Sequence, residues 1–161
     1  MPLIEPVIFE ARDEASTVTL GRALADSLPP RAVVALIGPL GAGKTRLVQA
    51  VAEAAGVDPR EVISPTFVLI HEYEGRVPIC HFDAYRLRDE DDFLRLGPEE
   101  YFERAGWSFI EWADRVERCL PGERLEIRIE PTGPLSRRFT ISALGDVDSG
   151  VIASLSTRIG V

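Results

Sequence analysis

The sequence predicts a three-layer α/β fold with a mainly parallel central sheet, helices on both faces and a β-hairpin at the C-terminal edge. The first indication is an unbroken apolar run at residues 33–37, which is typical of a strand covered on both faces. Two later apolar runs, at 77–83 and 107–111, each end in a carboxylate, as parallel strands often do at a ligand-binding edge. The last third instead alternates apolar and charged residues, which favours an antiparallel pair of strands with one solvent-exposed face.

The first part of the chain predicts two strands and two helices. Residues 7–9 form a short apolar strand, and residues 13–28 carry an apolar face at helical spacing. Pro29 and Pro30 follow directly and end this helix before the strand at 33–37. The next helix follows a glycine-rich loop, and Gly56 ends it.

The second part predicts a strand at 68–73, a hairpin tip at 74–76 and a strand at 77–83. The acidic run at 89–92 is interpreted as the start of a short helix, because carboxylates stabilise helix N-termini, and a second short helix follows at 99–105.

A strand at 107–110 ends in Glu111, and a hairpin pairs 124–130 with 137–141. Residues 1–145 are expected to form one domain. Residues 146–161 show no clear period and are left open as a loose tail or a docking segment.

Residues 38–45, GPLGAGKT, match the phosphate-binding loop pattern Gly-x-x-x-x-Gly-Lys-Ser/Thr. Glycine allows the backbone to curl around an oxyanion, and the following helix adds the positive end of its dipole. Lys44 is expected to reach the β- and γ-phosphates, and the Thr45 hydroxyl to ligate Mg²⁺. The fold is therefore predicted to be a P-loop NTPase fold. The loop residues expected to bind nucleotide are Pro39, Leu40, Gly41, Ala42, Gly43, Lys44, Thr45 and Arg46.

Lys44 also stands out in the composition. Of the 18 basic residues, 17 are arginine and Lys44 is the only lysine. A general preference for arginine explains the others but not this exception. It indicates a site that requires a compact ammonium on a flexible stem.

Asp83 and Glu111 each end an apolar strand, where a parallel sheet presents side chains to a ligand. Asp83 is therefore a candidate ligand for the nucleotide's metal ion. His81 precedes Asp83 by two residues and shares its strand face, so it either orients that carboxylate or packs in the core. The loop at 64–67, SPTF, is either a γ-phosphate sensor or an ordinary entry into the next strand.

The composition disfavours a Ras-like GTPase and a protein that binds nucleic acid directly. The sequence contains no asparagine, so the Asn-Lys-x-Asp element of guanine recognition is absent, and Gln49 is its only glutamine. Because Gln49 lies within the helix after the loop, it cannot position water as the glutamine of a Ras-like switch does. The net charge of −8 argues against direct binding of nucleic acid.

The histidines and cysteines show no zinc-ligand spacing, and Cys80 and Cys119 are expected to be free thiols of a cytoplasmic protein with no membrane partner. A small-metabolite kinase stays open, because Arg86, Arg88 and Arg95 could line a lid over the phosphates. The preferred class is a slow ATPase whose nucleotide state gates contact with other proteins.

Four elements in this order, GPLGAGKT, SPTF, HFDAYR and IEWAD, resemble the TsaE (YjeE) family of bacterial ATPases, over about residues 7–138. The resemblance implies binding and hydrolysis of ATP in an assembly with TsaB and TsaD, which threonylcarbamoylates adenosine 37 of tRNA. The transfer to RNA belongs to TsaD, so tRNA is a partner only through the complex.

Motif matching also implies residue roles. Lys44, Asp83 and Glu111 would be the catalytic residues, and Thr45 and Asp83 would hold Mg²⁺. Glu111 would be a second metal ligand or would position the attacking water. Thr66 would belong to the switch-like loop and Trp112 would lie beside the nucleotide, with Tyr85 and Arg86 directed toward a partner.

One departure from the family pattern is local. The chain has Glu-Trp-Ala-Asp at 111–114 where the family usually has Glu-Trp-Pro-Glu. The alternatives to an obligatory ATPase are a nucleotide-gated interaction module with incidental hydrolysis and a small-metabolite kinase.

Overall fold

The computed structural model describes residues 4–62, 69–147 and 149–161. Within them, seven strands form one sheet in the order β1-β7-β6-β2-β5-β4-β3. The strands are β1 (Val7–Ala11), β2 (Arg31–Ile37), β3 (Ile70–Glu74), β4 (Pro78–Asp83), β5 (Gly106–Glu111), β6 (Arg124–Pro131) and β7 (Arg137–Leu144). The helices are α1 (Glu14–Ser27), α2 (Lys44–Ala54), α3 (Glu90–Leu94), α4 (Pro98–Glu103), a 3₁₀ helix (Ala113–Cys119) and α5 (Ser149–Ile159).

Parallel pairing is confined to the four central strands β6, β2, β5 and β4. Antiparallel strands flank them, with β3 beside β4 on one side, and β7 and then β1 beside β6 on the other. The predicted C-terminal hairpin is present as β6 and β7. It does not form the edge of the sheet, because β1 pairs outside β7.

The alternation along β2 explains why its apolar run is continuous. Val34 and Leu36 pack on the face covered by α1, α2 and α5, whereas Val33 and Ala35 pack on the face covered by α3, α4 and the 3₁₀ helix. Because successive strand residues point to opposite faces, a strand between two helical layers must be apolar at every position. The predicted three-layer α/β fold is confirmed.

Local signals set several of the boundaries. Asp13 caps α1 by accepting a hydrogen bond from the Ser16 N–H at 2.9 Å, and Asp89 caps α3 in the same way from Asp92. The strand predicted at 68–73 begins at Ile70, because the described residue Leu69 is a bend, and residue 68 lies outside the described part of the chain.

The C-terminal segment that the sequence left open contains helix α5. Val151, Ile152 and Leu155 are buried in the same core as α1, and the Ser154 and Ser27 hydroxyls lie 3.0 Å apart. No helix in the described residues is long and apolar enough to cross a bilayer.

Candidate nucleotide-binding site

The phosphate loop, residues 38–43, connects the end of β2 to the start of α2. A Cβ atom on Gly38 would lie 2.6 Å from the Ile129 carbonyl oxygen, so the passage of the loop beside β6 requires glycine there. Gly43 has a φ of 103°, in the left-handed region that favours glycine, immediately before the helix. Both glycines of the motif are therefore required sterically, Gly38 by a close approach and Gly43 by its backbone conformation.

Lys44 is the first residue of α2, and only 4% of its surface is exposed. Its Nζ donates hydrogen bonds to the carbonyl oxygens of Gly38, at 2.6 Å, and Pro39, at 2.9 Å. Burial lowers the pKa of this ammonium, and the carboxylates of Glu111, Asp114 and Asp83 partly offset the effect. The ammonium is thus held inside the loop, where phosphate oxygens would have to lie.

Thr45, Glu111 and His81 form a buried hydrogen-bonded chain. The Thr45 hydroxyl lies 2.9 and 2.8 Å from the two carboxylate oxygens of Glu111, the last residue of β5. His81 Nε2 lies 2.5 Å from Glu111 Oε2, and His81 and Glu111 are 1% and 5% exposed.

Burial, the largest influence on Glu111, opposes its ionisation. The hydrogen bonds from His81 and Thr45 and the charge of Lys44 nevertheless leave the Glu111 pKa lowered. An ionised carboxylate only accepts, so His81 Nε2 is the donor in this contact.

Asp83 ends β4 directly opposite Glu111 in the parallel register, and Glu111 in turn is opposite Leu36 of β2. The two carboxyl groups therefore lie at the edge of the sheet where β2 enters the loop. The Tyr85 N–H donates to Asp83 Oδ1 at 2.9 Å. Burial raises the pKa of Asp83, and the Tyr85 hydrogen bond only partly offsets the increase. The structure thus brings both predicted acids to the phosphate-loop edge.

Trp112 covers Lys44, with the ring centroid 4.0 Å from Nζ. Among the described residues, Trp112 is the only non-glycine with a positive φ, at 60°. Its ring also contacts Tyr85 at a centroid distance of 5.0 Å, and Arg115 Nη1 donates to the Tyr85 carbonyl oxygen at 2.7 Å. An aromatic pair therefore connects the lysine of the loop to Tyr85, which is 43% exposed.

Arg137, at the start of β7, contacts the loop and was missed by the sequence analysis. Its Nε donates to the Ala42 carbonyl oxygen at 3.0 Å and its Nη2 to that of Gly41 at 3.4 Å. Its Nη1 donates to the Gly133 and Ser136 carbonyl oxygens in the preceding turn. Because the contact joins residues 95 apart in sequence, no local motif marks it. The only sequence signal for this contact is that Arg137 directly follows the turn before β7.

Several other predicted residues that the structure describes do not take part in the chain of contacts around Lys44 and Glu111. Leu40 is 76% exposed at the tip of the loop, and Arg46 pairs with Glu14 at 2.5 Å. Arg88 and Arg95, two of the candidate lid arginines, both pair with Asp92, at 3.1 and 3.3 Å. Thr66 lies outside the described residues.

The fold and the site define the class of protein. A central parallel strand runs into a phosphate loop, a helix starts at the loop lysine, and acids from two neighbouring parallel strands reach the same edge. This is the architecture of a P-loop NTPase.

Comparisons with known proteins then give the family. Residues 11–139 match the family model described as threonylcarbamoyl adenosine biosynthesis protein TsaE. The chain is 41% identical to a tRNA threonylcarbamoyladenosine biosynthesis protein TsaE of Bacillus subtilis, over 81% of each chain. It is 42% identical to one of Nostoc, over 88% of this chain and 89% of the relative. The crystal structure of Bacillus subtilis YdiB superposes with a TM-score of 0.81 and 31% identity, over 98% of both chains. The chain belongs to the TsaE family.

Proposed function

We propose that this chain is the Mg²⁺-dependent ATP-binding and ATP-hydrolysing subunit required for threonylcarbamoylation of adenosine 37 in tRNA. The observation that carries the proposal is the placement of Lys44 inside the phosphate loop, with the Thr45 hydroxyl on the Glu111 carboxylate beside it. The family supplies the tRNA modification pathway, and the geometry supplies the reason for a triphosphate ligand.

The donor groups at the loop edge fit Mg²⁺. The Thr45 hydroxyl and the carboxyl groups of Asp83 and Glu111 offer only oxygen atoms, which this ion prefers. Bound there with a nucleotide, Mg²⁺ would neutralise charge on the β- and γ-phosphates. The loop N–H groups and Lys44 would hold the same phosphates, and a carboxylate would align the attacking water.

The proposed partners are proteins of the TsaB and TsaD type, as the family resemblance implies, in the cytoplasm. The net charge of −8 supports an indirect relation to tRNA, because the field of this chain repels a phosphate backbone. The chain would therefore act on the complex that holds the tRNA.

A second candidate is a nucleotide-gated interaction module whose hydrolysis is incidental. It is favoured by the positions of Arg88 and Arg95, which both pair with Asp92. In these positions their charges do not stabilise the transition state of phosphoryl transfer at the loop. The stabilising charge would then come from Arg86 or from a partner, or slow hydrolysis would suffice.

Calorimetry with ATP, ADP and GTP tests nucleotide binding, and a coupled assay tests hydrolysis. Lys44→Ala and Lys44→Arg are expected to abolish both nucleotide-dependent signals, because neither side chain places a compact ammonium in the loop. Unchanged ATP affinity and turnover in both variants would refute the proposal.

Glu111→Ala separates the two candidates. It is expected to suppress hydrolysis while leaving some nucleotide binding, as is Asp83→Ala. In a reconstituted tRNA modification assay, an obligatory hydrolytic cycle predicts that Glu111→Ala fails, whereas a pure gate predicts that it succeeds.

A further inference from the structure

Two adjoining cavities open on the surface away from the loop. The first, of about 340 Å³, lies at the edge of the sheet where β2 and β6 begin, opposite the phosphate loop. The second, of about 660 Å³, lies between α3, α4 and the end of the 3₁₀ helix. Phe102, Glu103 and Pro121 line both cavities, which therefore adjoin, and the two together are here named the acidic groove.

The first cavity is lined mainly by apolar surface, and the second by apolar and polar surface in equal measure. Val33, Leu125 and Val151 line the first cavity, and Leu94 and Leu120 line the second. Leu94 is 46% exposed, so part of this apolar surface faces solvent directly. A concave apolar pocket beside exposed apolar surface is the form in which a binding partner's anchor side chain is usually received.

The rim of the groove carries an excess of negative charge, because six acidic residues and three arginines line it. Of its three arginines, Arg118 pairs with Glu90 and Arg124 pairs with Glu117 and Glu126 outside the groove. Arg31 donates to the Glu103 carbonyl oxygen and keeps its positive charge. Six acidic residues line the two cavities: Glu90, Asp91, Glu99, Glu103, Glu123 and Asp146. Apart from Glu90, none of their carboxylates forms a hydrogen bond or an ion pair with a residue that the structure describes.

We infer that the acidic groove docks a segment of a partner protein in which an apolar side chain is flanked by lysine or arginine. The apolar side chain fills the first cavity, and the basic side chains pair with the unpaired carboxylates at its rim. Exposed ion pairs contribute little affinity, so the anchor supplies most of the affinity and the charges supply specificity and a faster association. The inference goes beyond the proposed ATPase function, because nothing in it depends on a nucleotide.

The charge and the apolar walls together favour a protein segment over other occupants. A nucleic acid or an anionic membrane surface would be repelled by the carboxylates. A free polyamine would satisfy the charges but would leave the apolar walls in contact with water. A basic segment with an apolar anchor satisfies both features.

A displayed library of random peptides about twelve residues long tests this inference without assuming a partner's identity. The library is selected against the whole protein, and the peptides obtained are synthesised with a fluorescent label for anisotropy measurements. Selection is expected to enrich Lys and Arg around a Leu, Phe or Trp. Replacing that anchor with Ala is expected to raise the Kd by about tenfold or more.

Matched double variants then locate the binding site. Glu103→Lys with Glu123→Lys reverses charge on the groove, and Glu53→Lys with Glu130→Lys makes the same change in net charge at exposed positions outside it. The groove variant is expected to weaken the selected peptides by about tenfold or more, and the control by less than about twofold. Thermal unfolding of both variants checks that the fold is retained.

Three outcomes would overturn the inference. The first is that the selection yields no saturable binder, and the second is that binders lack the basic residues and the anchor. The third is that the two double variants weaken binding equally, which would show that the field of the whole acidic chain is responsible. ATP binding by the same proteins is measured in parallel, so a failure of the proposed ATPase function is recognised separately.

Discussion

Replacing Arg137 with methionine tests whether the C-terminal hairpin holds the phosphate loop in its binding conformation. Methionine retains an apolar stem of similar length but removes all the donors that reach the carbonyl oxygens of Gly41 and Ala42. In a phosphate loop the carbonyl groups must turn outward for the N–H groups to point inward, so this arginine stabilises the form that receives an anion.

The magnitude follows from the two contacts. A hydrogen bond to a charged group contributes about 1.5–3 kcal/mol, but the Gly41 contact is long at 3.4 Å and the arginine is only half-buried. We therefore assign about 1.5–2 kcal/mol to the pair together. Since each 1.4 kcal/mol changes an equilibrium constant tenfold, the Kd for Mg·ADP is expected to rise by roughly 10- to 30-fold.

Calorimetric titration with Mg·ADP measures this change, and Arg138→Met provides the matched control. Arg138 is the next residue on β7, but it pairs with Glu10 of β1 at 2.6 Å and contacts no loop carbonyl. Arg137→Lys is expected to recover part of the affinity, and guanidinium at a sub-denaturing concentration is expected to rescue Arg137→Met but not Lys44→Ala. An unchanged Kd in Arg137→Met, or an equal change in Arg138→Met, would refute the reasoning.

Two further substitutions test other parts of the structure. His81→Leu removes the donor to Glu111 Oε2. Loss of a hydrogen bond that orients a metal-site carboxylate lowers activity about 10- to 100-fold, so kcat for ATP is expected to fall by at least tenfold with the KM less affected. His81→Gln keeps a donor and is expected to retain more activity; equal activity in wild type and His81→Leu would contradict the role. Leu155→Ala, in α5, removes a fully buried side chain and is expected to cost about 2–5 kcal/mol of unfolding free energy. Thermal unfolding measures the loss, and a melting temperature unchanged from wild type would show that α5 contributes nothing to the core.

The strand and helix order could be predicted because each signal is local. The apolar run before the loop is continuous because both of its faces are covered, and Asp13 and Asp89 mark helix starts through hydrogen bonds three residues away. The position of β1 outside β7 could not be predicted, because strand neighbours far apart in sequence leave no periodic signal. Helix α5 was not predicted for a related reason: its residues 149–159 show no clear period in the sequence, and only their packing against α1 shows which of them are buried.

The residues of the candidate site also divide into those with a local sequence signal and those that only the fold brings together. The convergence of Lys44, Thr45, Asp83 and Glu111 at one edge of the sheet was predictable, because a motif or a strand end marks each one. The partner of His81 could not be predicted from its sequence position. Strand periodicity puts His81 on the same face as Asp83, two residues later on β4. In the structure His81 Nε2 instead contacts Glu111 of the neighbouring strand β5. Arg137 is the extreme case, since the donor and the loop carbonyls come close only when the hairpin pairs beside β2.

The geometry distinguishes the two acids more clearly than the sequence does. Both carboxylate oxygens of Glu111 accept from the Thr45 hydroxyl, and one also accepts from His81, so this group is fixed in orientation and is kept ionised. Asp83 accepts one described hydrogen bond, through Oδ1 from the Tyr85 N–H, and burial raises its pKa. A carboxylate fixed beside the proposed metal-binding hydroxyl is suited to a constant role in orienting the Thr45 oxygen. A carboxylate with a second oxygen still available can exchange partners as phosphate charge develops. Glu111→Gln is therefore expected to raise the Mg²⁺ concentration required for half-maximal hydrolysis more than Asp83→Asn does, and the reverse order would exchange the two assignments.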